Sequence, residues 1–574
     1  MNAIGRALRI VWFTFKSLIF IVGFLVIGGL VAAIVVAPWE QRPPDLNDGT
    51  ILELTFDGEL PESANEGGFL SVLKGNALSL PRMVRAIDRA AADARIVALK
   101  IDLSGADLPY AHAETLARAV KRFRATGKRA YVVSQHYDLA RYRLAAAFDE
   151  IWLPAAGEFA VTGVALQTPY GGELAEELGI EPQLERRKRY KSAADVIAER
   201  RMAPELRLAL TELVVSMDDQ LKDGIDSDRE KVAEDLEGRL DRALLDPQAA
   251  LEAGLIDRLG HAHELDDRLV GPRVRARQYL REVLKEPGER RRVAFIVASG
   301  PIQGGWGSPL DGSTIHAERL ISTLRAASDD SQVEAIVLRI DSPGGGYAPS
   351  DAIRQVIEGI GKPVIASMGE VAGSGGYMIA MAADRIVAAE TTITGSIGVI
   401  GGKIVVEDLL ADLGVRIETV KSGADAGFNS PFSRYTPAQR QRLSRRIDAI
   451  YSDFVKAVAS ARKLDPLSAE AAAQGRVWTG RQALDLGLVD RLGGLRTAFD
   501  EAADAIRAGG ADDIAIVEYP RIGWQERLSA AADPYFIGAS LGLGHPLLTR
   551  AREAAAELEP RDLIRLRMPV VELR

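Results

Sequence analysis

The chain contains no cysteine. Disulfides, thiol nucleophiles and thiolate metal sites are thereby excluded. Histidine is scarce too: His112, His136, His261, His263, His316 and His545 are the six in 574 residues. They fall outside the motifs described below and give no Ser-His-Asp order, so a nucleophilic serine must find its base elsewhere. His261 and His263 have ligand-like spacing, but two ligands alone make a poor metal site, and no metal or organic cofactor is expected. An excess of basic charge is also missing. The net charge of -9 argues against a nucleic-acid partner. A chain this long exceeds a single core, so two or more domains are expected.

Charge is absent altogether from one stretch, residues 17–37 (SLIFIVGFLVIGGLVAAIVVA). As a helix its 21 residues extend roughly 31 Å, enough to cross a bilayer. Arg6, Arg9 and Lys16 precede it, and Glu40, Asp45 and Asp48 follow. The positive-inside rule keeps residues 1–16 in the cytoplasm and sends the rest across. A cleaved signal peptide is the rival reading, but its apolar region is usually only about 7–15 residues long. Residues 38–48, rich in proline and charge, read as a linker.

Beyond the linker the sequence repeats itself. Residues 95–102 (RIVALKID) match 333–341 (VEAIVLRID), and Asp149-Glu150-Ile151 matches Asp384-Arg385-Ile386. Val161-Thr162-Gly163 resembles Ile393-Thr394-Gly395, and Lys191-Ser192-Ala193-Ala194-Asp195 matches Lys421-Ser422-Gly423-Ala424-Asp425. Gly254-Leu255-Ile256-Asp257-Arg258-Leu259 matches Gly487-Leu488-Val489-Asp490-Arg491-Leu492. Five matches in one order define an internal duplication. Each copy alternates buried strand-like runs (97–101, 130–133, 336–340, 364–366) with helical ones (115–124, 351–360), as βαβ units require. Residues 204–221 and 437–464 read as long helices. The expected copies span 46–265 and 290–508, with 261–292 as their link and 511–574 as an extension without a counterpart.

The copies differ where chemistry is expected. In the second, Ser374 stands in Ala372-Gly373-Ser374-Gly375-Gly376-Tyr377, between a strand-like and a helix-like run. Such a turn presents a serine sharply and lets a substrate backbone approach. Upstream, Asp341-Ser342-Pro343-Gly344-Gly345-Gly346 forms a second glycine-rich turn whose N–H groups suit an oxyanion. The first copy has Leu103-Ser104-Gly105-Ala106-Asp107 and Asp138-Leu139-Ala140-Arg141-Tyr142 at these places, with no serine in the second of them. A lysine can act as base if burial or nearby positive charge lowers its pKa. Lys191 follows the cationic run Arg186-Arg187-Lys188-Arg189, which would favour its neutral form, and Lys421 is its rival in the second copy.

These motifs (DSPGGG, SMGEVAGSGGY, TGSIGV and YKSA) resemble the signal peptide peptidase A family in its long, tandem-repeat form, over most of residues 50–505. The resemblance implies an α/β fold of two tandem Clp protease/crotonase-like ββα-type domains behind an N-terminal transmembrane helix. It implies a Ser/Lys dyad, with Ser374 as nucleophile and Lys191, from the YKSA motif, as general base. Gly375 with Gly344 or Gly345 match the family's oxyanion donors, and Ser396 matches a serine that orients the lysine. Short family members carry their base in a KSGA motif, which Lys421-Ser422-Gly423-Ala424 also resembles, so Lys421 stays open as the alternative. The family's members are membrane-attached, tetrameric in long forms, and degrade remnant signal peptides and other short apolar peptides. For this chain that implies a bacterial inner (cell) membrane location, the catalytic part periplasmic, and no nucleic-acid partner. A crotonase-like acyl-CoA enzyme and a non-catalytic membrane scaffold are the other function classes weighed.

Overall fold

Runs such as 96–102 (IVALKID) and 333–342 (VEAIVLRIDS) are rich in β-branched residues and lack helical spacing, which suits strands covered on both faces. In the computed structural model each lies inside a sheet and pairs parallel with both of its neighbours. The structure describes residues 46–56, 58–63, 78–229, 245–283, 290–307 and 313–520, and the backbone of 564–567 and 572–573. The apolar stretch 17–37 expected as an anchor lies outside the described residues. Among the described residues no helix is long and apolar enough to cross a membrane.

The first sheet has the order Arg258–Leu259, Glu150–Leu153, Arg129–Val133, Ile96–Asp102, Thr50–Thr55, Arg273–Arg275, every pair parallel. The second repeats that order strand for strand: Arg491–Leu492, Arg385–Ala388, Val364–Gly373, Val333–Ser342, Arg291–Ser299, Ile514–Tyr519. The chain is thus α/β, with two tandem units. Side-chain bonds repeat as well. Tyr142 donates its hydroxyl to the Leu255 carbonyl at 2.8 Å, and Tyr377 to that of Leu488 at 3.0 Å. Lys128 donates to the Ala90 and Asp93 carbonyls, and Lys362 to those of Ala327 and Asp330.

Two expectations about boundaries need correction. Residues 261–292 are not merely a link, because Arg273–Arg275 is the edge strand of the first sheet, paired with Thr50–Thr55. Of the extension expected from 511, the strand Ile514–Tyr519 does have a counterpart, pairing with Arg291–Ser299 as the equivalent edge. Both edges are short or charged enough that sequence similarity between them is slight, while the sheet position is the same.

The two units share polar groups across their contact. Helix Tyr110–Arg124 of the first unit brings His112 against Glu62, whose carboxylate also accepts from Arg339 of the second sheet at 2.5 and 3.0 Å. Arg339 is only 2% exposed and donates further to Ser367 Oγ and the Met368 carbonyl. Burial by itself would raise the Glu62 pKa, but the Arg339 charge and the His112 hydrogen bond outweigh it and hold the carboxyl at about 2. Glu62 therefore contributes stability above its ordinary value of 4.5, and that contribution drains away as pH falls toward 2. On the same helix Glu114 accepts from Thr391 Oγ1 and from the amides of Glu390 and Thr391.

Removing one partner of a buried pair strands the other charge in a dry interior. Arg339→Ala is expected to cost about 3–5 kcal/mol of stability at pH 7. Urea denaturation should show the loss as a lowered midpoint, and the loss should shrink as pH falls from 4.5 toward 2, the range over which the Glu62 contribution drains away.

Candidate active site

Strand Val364–Gly373 runs straight into helix Gly375–Ala380, and Ser374 is the single residue between them. Its φ of 57° and ψ of -111° lie where side chains are strained, a cost on the order of 1–3 kcal/mol that the packing around it must sustain. Glycine is required on its far side for lack of room. A Cβ on Gly375 would stand 2.6 Å from Ser350 Oγ, and one on Gly376 would stand 2.7 Å from the Ser342 carbonyl oxygen. Ser374 itself is fully buried, and its amide donates to the Gly395 carbonyl at 2.8 Å.

Lys191 reaches this serine from the other unit, 183 residues earlier in the chain. Strand Glu181–Arg187 crosses to the second unit and pairs antiparallel with Val399–Val405 along its whole length, from Glu181↔Val405 to Arg187↔Val399. Beyond it the Tyr190 amide donates to the Gln474 carbonyl, and Lys191 turns inward with no exposure to solvent. Its Nζ lies 2.6 Å from Ser374 Oγ, 2.9 Å from the Ser396 carbonyl oxygen and 3.0 Å from Ser396 Oγ. Ser396, like Ser374, has a positive φ, here 51°.

Nζ has three oxygen neighbours. A neutral amine in this place can donate to the two oxygens of Ser396 and turn its lone pair to the Ser374 hydroxyl, while an ammonium would donate to all three. Burial holds the Lys191 pKa well below the usual 10.5, which favours the neutral form. The cationic run before it has no part in that shift. Arg186 pairs with Asp195, Arg187 with Asp448, and Lys188 with Glu470, so the charges point outward and are neutralised. Desolvation, not electrostatic repulsion, is the cause.

The glycine-rich turns converge on the same point. Were Gly375 given a Cβ, it would lie 3.1 Å from the Gly345 amide nitrogen and 3.3 Å from Gly344 Cα. Gly344 has a φ of 98° and directs its own N–H to Ser342 Oγ at 3.2 Å. Gly375 opens its helix, where first-turn N–H groups have no intrahelical acceptor. Lys421, by contrast, is exposed beside Gly427 and hydrogen-bonds neither Ser374 nor Ser396.

At the equivalent place in the first unit, Leu139 stands where Ser374 would, as the matched Tyr142 and Tyr377 bonds fix the register. Arg141 fills the space: its guanidinium pairs with Asp138 and donates to the carbonyls of Leu103 and Ala106. The turn of the first unit is thus bonded to its own side chain. The histidines flagged by spacing, His261 and His263, stack ring on ring at 5.5 Å, and no cluster of metal-ligating residues occurs among the described residues.

Sequence reasoning missed the residues that wall in the lysine. A Cβ on Gly475 would come within 2.6–2.8 Å of the Lys191 backbone and Cβ, and one on Gly398 within 3.1 Å of its Cδ. Gln474-Gly475-Arg476 carries no motif, and only its approach to Lys191 reveals a role. The Arg339, Glu62 and His112 group was equally silent.

Comparison with known proteins gives the following. The profile of peptidase family S49 matches residues 122–270 and 357–508. The chain is 30% identical over 483 residues to "Serine protease SPPA, chloroplastic" of Arabidopsis thaliana, covering 80% of this chain and 69% of that one. It is 32% identical over 452 residues to "Protease 4" of Salmonella typhi, covering 74% and 72%. Among solved structures, a ClpP1 mutant from Listeria monocytogenes aligns with a TM-score of 0.25 at 15% identity, covering 36% of this chain and 93% of that one.

Gly475→Ala, which pushes on the Lys191 backbone, is expected to slow labelling of Ser374 by a fluorophosphonate probe by about 10²-fold, the scale of a misplacement near 1 Å. The labelling rate, followed by intact-protein mass, checks this; an unchanged rate would show that the wall does not position the lysine.

Proposed function

The chain belongs to peptidase family S49 and is a serine protease, and from that premise we propose that it is a membrane-anchored endopeptidase working through a Ser374/Lys191 dyad. The observation that carries this reading is the buried Lys191 amine 2.6 Å from Ser374 Oγ. Neutral Lys191 takes the hydroxyl proton as Ser374 Oγ attacks the scissile carbonyl carbon. The oxyanion falls to the amide of Gly375 and to that of Gly345 beside it, since the Gly344 N–H is directed to Ser342 Oγ. Lys191, now an ammonium held by Ser396, returns the proton to the leaving amine as the C–N bond breaks. Water then repeats the sequence on the acyl-enzyme, giving back the serine.

The fully buried setting favours this chemistry twice. It keeps the amine unprotonated, and it strengthens the oxyanion contacts that form only in the transition state. Ser396 acts as a positioning residue, since its two oxygens fix where the lysine lone pair points.

Substrate and setting extend the reading. Short, extended, apolar peptides, remnant signal peptides among them, suit a site bordered by the strand backbone of Gly344–Gly346. The uncharged run 17–37, behind Arg6, Arg9 and Lys16, supports a single-pass anchor with the N-terminus cytoplasmic and residues 46 onward on the periplasmic face of a bacterial inner membrane. A homotetramer rests on family resemblance alone.

Two measurements test this. With a fluorogenic signal-peptide-like substrate and detergent-solubilised protein, Ser374→Ala and Lys191→Ala should each lose several orders of magnitude in kcat. Lys421→Ala should keep activity near wild type; loss there with retention in Lys191→Ala would reverse the assignment of the base. In the second, kcat/KM should rise with pH as the Lys191 ammonium of the free enzyme gives up its proton, with a midpoint well under 10.5 because burial lowers it. A profile favouring acid would sink the lysine mechanism.

A further inference from the structure

The backbone of Gln474-Gly475-Arg476, which walls in Lys191, is bonded on both sides. The Arg476 carbonyl accepts the Ser396 amide at 2.7 Å, and the Gly475 amide donates to the Ile397 carbonyl at 2.8 Å. On the other side the Gln474 carbonyl accepts the Tyr190 amide at 3.2 Å. Strand Val477–Thr479 follows and pairs antiparallel with Ile393–Gly395, whose last carbonyl holds the Ser374 amide. The Arg476 side chain makes a further tie. Its guanidinium carbon lies 4.1 Å from the centre of the Trp478 ring and 5.7 Å from that of Tyr190, the residue before Lys191. It also pairs with Glu212 on helix Pro204–Asp228 of the first unit.

Trp478 belongs to the second unit and Tyr190 to the first, so one cation is shared by a ring from each. A guanidinium is attracted by the negative face of an aromatic ring, and the attraction grows as water is excluded. The Arg476 side chain is only 17% exposed, and its buried Nε has no hydrogen-bond acceptor among the described residues. What holds that part of the guanidinium is the aromatic pair. Glu212 is 46% exposed and adds little, because a surface ion pair is screened by solvent. Arg189 lies 5.8 Å from the same Tyr190 ring, but it is exposed and comes from the same segment, so it ties nothing across the units. The need for a tie is local. The ladder that carries the first unit's chain ends at Arg187, four residues short of Lys191. Over that gap the Lys188–Glu470 pair sits at the surface, and the Tyr190 contacts are the ones that reach inward, to Gln474 and Arg476.

We propose that Arg476 is a positioning residue for the reaction, its guanidinium clasping Tyr190 against Trp478 so that Lys191 stays pressed onto Ser374 and Ser396 and water stays out of the lysine pocket. The proposal rests on the dyad reading above and adds the residue that assembles the dyad from its two units. Arg476 bonds neither Ser374 Oγ nor Lys191 Nζ, so it acts through their neighbours. Burial alone lowers the Lys191 pKa, with no share from the Arg476 charge, so the clasp works by excluding water. Loosening it admits water and moves that pKa back up toward 10.5.

The test follows Arg476→Met, Arg476→Lys and Tyr190→Leu in the full-length, detergent-solubilised protein. Cleavage of a fluorogenic apolar decapeptide is read across pH, and a fluorophosphonate label reports on Ser374. Arg476→Met keeps an unbranched side chain and loses the cation; kcat should fall about 10–100-fold with KM changed by about twofold at most, the scale of a small misplacement. The pH midpoint of kcat/KM should rise by about one unit as water reaches the lysine. Arg476→Lys, which keeps the charge without the planar fork, should recover part of both effects. Tyr190→Leu removes a ring and no charge, and should move the midpoint the same way; it also carries the test if Arg476→Met does not fold. A midpoint unmoved or lowered in these two variants would overturn the proposal even where less active protein is recovered, because a purely structural role changes the amount folded and not the pH of half-activity. A wild type that neither cleaves the peptide nor takes the label at Ser374 would remove the protease reading and the clasp with it. Wild-type rates of cleavage and labelling in every variant would remove the clasp alone.

Discussion

The seven-residue antiparallel ladder between Glu181–Arg187 and Val399–Val405 is the contact on which the site depends. It carries the backbone of one unit into the sheet of the other and delivers Lys191 to a place from which water is excluded. A lysine on a free surface keeps its proton at neutral pH and cannot act as a base. The chain meets this requirement with main-chain hydrogen bonds, which hold position without relying on any one side chain. The Gln474-Gly475 turn and Gly398 then close around the lysine stem, and the two oxygens of Ser396 fix its head.

Duplication made this division of labour available. Both units keep the same sheet order, the same tyrosine-to-carbonyl bond and the same lysine clamp at the end of a helix. Only the second keeps a serine on the turn, whereas the first has closed its own turn with Arg141. What the first unit supplies instead is a wall, the buried Lys191 and a set of buried polar groups, His112, Glu62 and Glu114, that lock it against its sibling. The strained backbone at Ser374 and Ser396 is tolerated because these contacts over-determine the region.

Much of this was legible in the chain itself. Ser374, with glycines on either side, announced its turn because only small residues fit where Ser342 and Ser350 crowd the backbone. The repeat showed through buried strands such as Ile96–Asp102 and Val333–Ser342, whose composition is constrained on both faces. The edge strands Arg273–Arg275 and Ile514–Tyr519 escaped notice because an edge, half in solvent, constrains few side chains. The choice between Lys191 and Lys421 also lay beyond the motifs. Both sit in nearly the same five-residue pattern, and the property that separates them, burial, is not local.

By itself, then, the sequence determined the chemistry on offer: a serine on a glycine turn, lysines in matched motifs, no cysteine, and two copies of one α/β unit. These are properties of short segments, set by backbone sterics and by apolar periodicity. Tertiary structure alone decided which lysine is desolvated beside Ser374, why its pKa is lowered, and which strand pairs with Gly344–Gly346. Each of those depends on groups hundreds of residues apart being brought within a few ångströms, and on the exclusion of water that only packing between the two units provides.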